Sequence, residues 1–153
     1  MISAMALAAL MLGGALGEPA GEPTLLGEQP DRLLIGFFKP EFNVTPRAQN
    51  RTLTTRVVYK TGQNMGRSAL VGHMDMATEI DCVGKRSRVT TIAMFGLNGE
   101  ALGSIAAGPP ANAWTGNDGP EQWLACGEPN AMGLEPVETA DLPSLVRQWR
   151  ATP

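Results

Sequence analysis

Three consecutive strand-like runs, separated by tight turns, constrain the fold of this chain most. Residues 77–82 and 88–95 are rich in β-branched and apolar side chains, and a short glycine-containing connection joins them. Asn98-Gly99 follows, a dipeptide that favours the type I′ turn of a β-hairpin, and residues 100–105 return as a third run. The pattern predicts an antiparallel meander of three strands.

Two segments before the meander also have the character of strands. Residues 33–38 form a short apolar run with two aromatic side chains, and residues 51–59 are rich in Thr, Val and Tyr. Alternate positions of the second run share one face of a strand: Leu53, Thr55, Val57 and Tyr59. Residues 69–77 are ambiguous between a short strand and one irregular helical turn.

Two segments in the last third of the sequence carry helix signals. Residues 120–126 begin with Pro120, which fits the first position of a helix, and Gly127 is suited to end it. Asp141 can cap a second helix over residues 142–149. The apolar stripe of this helix, which suits packing on a sheet, consists of Leu142, Leu145, Val146 and Trp149.

Glycine and proline limit how much helix the chain can form. The 18 Gly and 12 Pro among 153 residues are close to a fifth of the sequence, against a typical share of about 12%. The chain therefore turns often and cannot be mostly helical. We predict an α+β fold: a small antiparallel β-sheet, a meander, packed with one or two helices. The length fits one domain, which we place at residues 31–153.

The first 17 residues are small and apolar, and the first charged side chain is Glu18. The stretch has the length of the apolar region of a signal peptide, and it is too short to cross a bilayer, which takes about 20 residues. No Lys or Arg precedes it, so an ordinary buried helix is the alternative. We predict a signal peptide over residues 1–17, a flexible Pro-, Gly- and Glu-rich leader over residues 18–30, and no transmembrane span in the mature chain.

Charge and cysteine content bear on partners and compartment. With 12 Lys and Arg against 15 Asp and Glu, the formal net charge is −3, and this mild acidity excludes non-specific nucleic-acid binding as the main function. The two cysteines are Cys82 and Cys126. An even count in an exported protein suggests a disulfide, whereas the alternative is two buried free thiols in a cytosolic protein.

Several features in the middle of the chain occur in one order along the sequence. Residues 79–82 form an acidic strand that ends in Asp-Cys, and Arg86 and Arg88 open the next strand. Later features are the aromatic Phe95, Gly99 after the turn, and Trp114 followed by a short helix that runs into Cys126. Over roughly residues 51–126, this arrangement resembles the surface-adhesin protein E-like family of small exported bacterial proteins.

The resemblance implies a small antiparallel sheet packed with helix and tied by a bond between Cys82 and Cys126. It also implies a role in extracellular or periplasmic binding rather than catalysis. A polysaccharide, a matrix protein or an envelope protein is then the expected kind of partner.

Lys85, Arg86 and Arg88 are the candidate ligand-binding residues, because they cluster at the tip of the predicted hairpin and Arg67 is a possible neighbour. Such a basic cluster can bind sulfated glycans or acidic polymers of the host or envelope. The structural alternative is a solvated turn that protects a sheet edge.

Other chemistry-bearing residues indicate neither a metal site nor catalysis. His73-Met74-Asp75-Met76, with Met65 upstream, has ligands suited to Cu(I), but a strand would place the two methionines on the face opposite His73 and Asp75. Glu79 and Asp81 share a strand face, and we expect them to face solvent or Arg86 and Arg88. No nucleophile–base pair or phosphate loop accompanies them, so we predict no catalytic residue, no metal and no cofactor.

The sequence thus predicts a non-catalytic, periplasmic or extracellular bacterial protein, an adhesin-like binding module of the cell envelope. The alternative is a periplasmic structural or accessory factor that binds another envelope protein through a sheet edge or through the helix that carries Trp149. A hydrolase or a metal-handling protein is a third and weaker alternative.

Overall fold

Antiparallel strands dominate the protein, as seen in a computed structural model that describes residues 18–39, 50–66 and 68–153. The long strands are Glu22–Glu28 (β1), Arg32–Phe38 (β2), Asn50–Gln63 (β3), Val71–Asp81 (β4), Arg86–Gly96 (β5) and Ala101–Ala106 (β6). Two-residue strands lie at Thr115–Gly116 (β7) and Glu135–Pro136 (β8), and the helices are Pro120–Cys126 (α1) and Leu142–Ala151 (α2). The predicted signal peptide, residues 1–17, lies outside the described residues, as does Arg67.

The strands of the described part of the chain form one sheet in the order β6-β5-β4-β3-β2-β1-β8, and β7 pairs with β5. Every pairing is antiparallel, and β1 to β6 are neighbours in the order of the sequence. The predicted meander over residues 77–105 is confirmed as β4, β5 and β6. The prediction of a small sheet is wrong, because the meander continues through β3, β2 and β1 to six strands, and β7 and β8 bring the sheet to eight.

The prediction of a flexible leader over residues 18–30 is wrong for Glu22–Glu28, which form β1. This strand pairs with β2 along its whole length, from Glu22 opposite Phe38 to Glu28 opposite Leu33. Thr24 and Leu26 are buried, and the backbone oxygen of Pro23 accepts a hydrogen bond from the backbone N–H of Val137. Proline is tolerated near the start of a strand, so burial against the sheet outweighs a local composition typical of a linker.

The two helices lie on opposite faces of the sheet, because successive side chains of a strand point to opposite sides. Leu33, Ile35 and Phe37 of β2 share a core cluster with Leu142 and Trp149 of α2. On the other face, Leu53 and Ile80 pack with Ala125 of α1, together with the half-buried Phe38 and Leu124. The predicted packing of helix on sheet is confirmed, and both faces of the sheet take part in it.

Strand β3 is buried on both of its faces. Leu53, Thr55, Val57 and Tyr59, predicted to share one face, are all buried, and so are Arg56 and Val58 on the other face. Val57 and Tyr59 pack with Val71 and Met94, and the half-buried methionines of β4, Met74 and Met76, lie against the same cluster. The ambiguous residues 69–77 thus belong largely to a strand, whose methionines fill space on the face occupied by α1.

The helix ends agree with the sequence in one case and differ in the other. Gly127 ends α1 in the left-handed conformation, at φ 67° and ψ 32°, as its lack of a side chain permits. Asp141 precedes α2, but its side chain makes no capping hydrogen bond, so the predicted cap is wrong. At φ −90° and ψ −15°, the Asp141 backbone is already helical, whereas a capping residue has extended backbone.

A disulfide joins Cys82, at the end of β4, to Cys126, the last residue of α1, which confirms the predicted bond. Both half-cystines lie against the small core of Leu53, Ile80 and Ala125. The bond therefore fastens α1 to the sheet. None of the helices that the structure describes is long and apolar enough to span a membrane.

Candidate functional site

The predicted ligand-binding residues at the tip of the β4–β5 hairpin each have a carboxylate partner. Register places Arg86 opposite Asp81 and Arg88 opposite Glu79. The Arg86 Nε donates to Asp81 Oδ2 at 2.9 Å, and an Arg88 Nη2 to Glu79 Oε2 contact measures 2.7 Å. The prediction that Glu79 and Asp81 face these arginines is confirmed.

The Asp81 carboxylate also shapes the turn of the hairpin. The backbone N–H groups of Gly84 and Val83 donate to its Oδ1 at 2.8 and 3.1 Å. These bonds, with that of Arg86, hold the pKa of Asp81 below its ordinary value. The carboxylate is thus a structural acceptor rather than a proton donor.

Trp114 lies against both arginines of the hairpin. The guanidinium carbon of Arg86 is 5.1 Å from the centre of the Trp114 ring, and that of Arg88 is 4.8 Å from it. Lys85 has Asp118 at 3.8 Å. The structure therefore brings Arg86 and Arg88 together on a tryptophan and places Lys85 beside Asp118. The charge of the tip residues is balanced, which favours the structural alternative over a polyanion site.

A second cluster of charged side chains lies on the face of the sheet that α2 covers. Arg56 of β3 is directly opposite Asp75 of β4. Its Nε and Nη2 donate to the two carboxylate oxygens of Asp75 at 2.7 and 2.8 Å, and both side chains are about nine-tenths buried. The Arg56 guanidinium also stacks on Phe37, 5.2 Å from the ring centre. Arg56 is thus held rigidly by a charge partner and an aromatic ring.

Burial and neighbouring charges act on the ionisation of this cluster in different directions. Burial lowers the pKa of Arg56, but the hydrogen bonds and charge of Asp75 outweigh it, so that the pKa lies above its ordinary value. His73, beside Asp75 on the same face, stacks on Phe95 with ring centres 4.5 Å apart. Burial, with the positive charge of Arg56, lowers the pKa of His73 to about 4. His73 is therefore neutral at pH 7.

Arg150 of α2 connects three parts of the sheet. Its Nε donates to the backbone oxygen of Tyr59 at 3.0 Å, its Nη2 to that of Gly72 at 3.0 Å, and its Nη1 to that of Leu97 at 3.4 Å. Burial lowers the pKa of Arg150, yet a guanidinium stays charged. Since Arg150 has no carboxylate partner in the described part of the chain, its charge is not balanced by an ion pair.

These groups surround an open cleft of about 570 Å³ between α2, the sheet and the β5–β6 turn, which we call the α2 cleft. Its charged or polar lining residues are Glu18, Arg56, His73, Asn98, Thr139, Arg147 and Arg150. Val58, Leu97, Gly99, Leu142, Pro143 and Val146 complete the lining. The volume suits a small ligand, and the lining combines fixed cations with an apolar wall.

The α2 cleft offers guanidinium, imidazole, amide, hydroxyl and carboxylate groups beside an apolar wall. Among the described residues, neither Ser nor Cys lines the cleft. The Phe95 ring stacks on one face of the His73 ring. The described residues also contain no group of three or more His, Cys, Asp and Glu side chains able to hold a metal ion. On β4, His73 and Asp75 face the cleft cluster while Met74 and Met76 pack on the opposite side, as the strand geometry predicted.

Sequence reasoning missed Arg56 and Arg150 as site residues. Arg56 had a visible signal, because it is the one charged residue of the run Thr-Leu-Thr-Thr-Arg-Val-Val-Tyr. An isolated cation in an otherwise uncharged strand calls for a buried partner. Arg150 had no such signal in the sequence, since arginine is common in the last turn of a helix.

The low pKa of His73 predicts a specific pH dependence of stability. Its folded pKa of about 4 lies below the ordinary 6.5, so the unfolded chain binds the proton first and the free energy of unfolding falls as the pH drops from 6.5 to 4. Partial exposure of the ring limits the effect to about 2 kcal/mol. His73→Phe, which keeps a ring against Phe95, should remove that part of the fall in urea titrations at several pH values. An unchanged pH profile would contradict the assignment.

Comparisons of the chain with protein-family models, with curated proteins and with solved structures find no match. The resemblance to the surface-adhesin protein E-like family, which is drawn from sequence motifs, therefore stays a prediction.

Proposed function

We propose that this protein is an exported, non-catalytic binding module of a bacterial cell envelope, and that its ligand occupies the α2 cleft. The Cys82–Cys126 bond supports export, because disulfides persist mainly in oxidising compartments such as the periplasm and the cell exterior. The motif resemblance over residues 51–126 supports the same class of protein. A polysaccharide, a matrix protein or another envelope component is the expected source of the ligand.

One observation carries the choice of the α2 cleft, namely that two of its cations, Arg56 and Arg150, are fixed before any ligand arrives. Asp75 and Phe37 hold Arg56, and three backbone oxygens hold Arg150. A preorganised site loses little conformational entropy on binding, so more of the interaction energy appears as affinity. A ligand at the hairpin tip, by contrast, would have to compete with Asp81 and Glu79 for the guanidinium groups of Arg86 and Arg88.

A fragment screen by two-dimensional NMR of the whole protein tests this proposal. The screen contains small acids, bases and neutral compounds, and we expect at least one of these classes to shift resonances of residues that line the α2 cleft. Val146→Trp, which adds an indole to the half-buried cleft wall, should weaken binding at least tenfold. The matched control is Val83→Trp, since Val83 is 72% exposed in the hairpin turn and far from the cleft lining. Thermal unfolding of both variants checks that they fold.

The two tryptophan variants also separate the alternatives. Loss of binding in the Val83 variant, and not in the Val146 variant, would transfer the site to the tip formed by Lys85, Arg86 and Arg88. Resonance shifts confined to residues outside both the α2 cleft and the hairpin tip would contradict a small-ligand site at either place.

A second candidate function is that of an accessory factor that binds another envelope protein through the edge of the sheet. Strand β6, Ala101–Ala106, carries no charged side chain and is the last strand of the sheet order on its side. An uncharged edge of this kind can accept a strand from another protein. This function is favoured if no fragment of any class shifts the cleft resonances.

A further inference from the structure

The Arg56 guanidinium presents one side to the buried Asp75 and the other side to the α2 cleft. Asp75 takes the hydrogen bonds of Nε and Nη2, which leaves Nη1 to face outward. An Nη1 donor bonds there to the Glu18 carboxylate, at 3.3 Å from Oε2. The contact is longer than a strong charge-assisted hydrogen bond, and the Glu18 side chain is 74% exposed. The Glu18 carboxylate is therefore held loosely, whereas the Arg56 guanidinium that it contacts is held firmly.

The rest of the cleft carries positive charge beyond what these two carboxylates balance. Arg147 donates to the Ser144 hydroxyl and Arg150 to backbone oxygens, and among the residues the structure describes neither forms an ion pair. Three guanidinium groups thus face two carboxylates, of which one is buried behind Arg56. Because His73 is neutral at pH 7, it adds hydrogen-bonding capacity without further charge.

The wall opposite Arg56 decides what kind of anion fits. Leu97, which is 41% exposed, the exposed Pro143 and the half-buried Val146 offer apolar surface to the cleft, whereas Val58 and Leu142 are buried. An inorganic anion would leave this wall in water, whereas an apolar body attached to the anion would cover it and gain burial energy. A carboxylate can accept a hydrogen bond from Nη1 of Arg56, as the Glu18 carboxylate does.

We infer that the α2 cleft binds a small monocarboxylate with an apolar body, and that the Glu18 carboxylate competes with it for Nη1 of Arg56. This inference rests on the proposed function, because it names the ligand class of the same cleft. The ligand carboxylate takes the place of the Glu18 carboxylate, and the apolar body lies along the wall formed by Leu97, Pro143 and Val146. Glu18 is then an internal competitor that lowers affinity for the ligand.

Calorimetric titration of the whole protein with three probes tests the ligand class. Octanoate has both parts, 1-octanol lacks the carboxylate, and acetate lacks the apolar body. We expect octanoate to bind at least about tenfold more tightly than either, since a hydrogen bond to a charged group contributes roughly a factor of ten or more. Equal binding of octanoate and octanol, or no binding of octanoate, would overturn the inference.

Competition is tested with Glu18→Gln, which keeps the shape of the side chain and removes its charge. We expect the affinity for octanoate to rise about three- to fivefold, the range of an exposed ion pair. Glu28→Gln is the matched control, because Glu28 is an exposed glutamate at the far end of β1, and it should leave the affinity unchanged. An unchanged affinity in the Glu18 variant would overturn the competition.

Failure of this inference is distinguishable from failure of the proposed function. If neutral or basic fragments shift the cleft resonances while octanoate binds no better than octanol, the carboxylate ligand is wrong and the cleft remains a binding site. If no fragment of any charge shifts those resonances, both are wrong.

Discussion

Replacement of Asp75 by leucine should lower the free energy of unfolding by about 3 to 5 kcal/mol, because it leaves the Arg56 guanidinium buried without its partner. Both side chains are close to nine-tenths buried and share two short hydrogen bonds. The measurement is urea unfolding of the variant and the wild type at pH 7. The matched control is Glu18→Gln, which removes the exposed carboxylate on the same guanidinium and should cost at most about 1 kcal/mol.

A double variant separates the loss of a contact from the cost of an unpaired charge. Arg56→Met combined with Asp75→Leu removes both charges and keeps roughly the same volume, so it should be more stable than Asp75→Leu alone. If Asp75→Leu costs no more than Glu18→Gln, the pair is solvated in solution and the rigid cation on which the cleft depends is absent.

Removal of the disulfide should have an effect of similar size. Cys82 and Cys126 are separated by 44 positions. In the loop-entropy model, opening a loop of that length lowers the free energy of the unfolded chain by about 4 kcal/mol, because the chain regains conformational entropy. We expect the variant with both cysteines changed to alanine to lose about that much in urea unfolding. The wild type measured in reductant is the control, and it should give nearly the same loss.

Intact mass of the product made in an exporting bacterium, with and without reductant, tests the compartment that the disulfide supports. We expect the mass of a chain that has lost its first 17 residues, and an increase by the mass of two hydrogen atoms on reduction. A full-length product with two alkylatable thiols would contradict both export and the predicted cleavage.

Much of the fold was readable from local sequence because its strands follow one another in order. The Asn98-Gly99 pair and the short connection before Arg86 mark neighbouring strands of a meander. The turn itself is not the predicted type I′, because Gly99 has positive φ and Asn98 does not. The stripe of Leu142, Val146 and Trp149 fixes the face of α2. Strand β1 was missed since its burial comes from contacts with β2 and β8, which local composition does not contain.

The candidate site was less predictable because it depends on register. Arg56 meets Asp75 only in the observed pairing of β3 with β4, and a shift of one residue would place them on opposite faces. The connection between these strands, after Gln63, carries no two-residue turn signal that sets the register. The pairing of Arg88 with Glu79 was predictable, since a tight turn lies between them.

The distance along the chain between β2 and α2 determines how long their shared surface stays uncovered during folding. Leu142 lies 105 positions after Phe37, yet Leu33, Ile35 and Phe37 pack against Leu142 and Trp149. Neighbouring strands of the meander pair across short connections, whereas this contact closes a long loop. Until it forms, the apolar strip of β2 is accessible to chaperones that bind unfolded polypeptide.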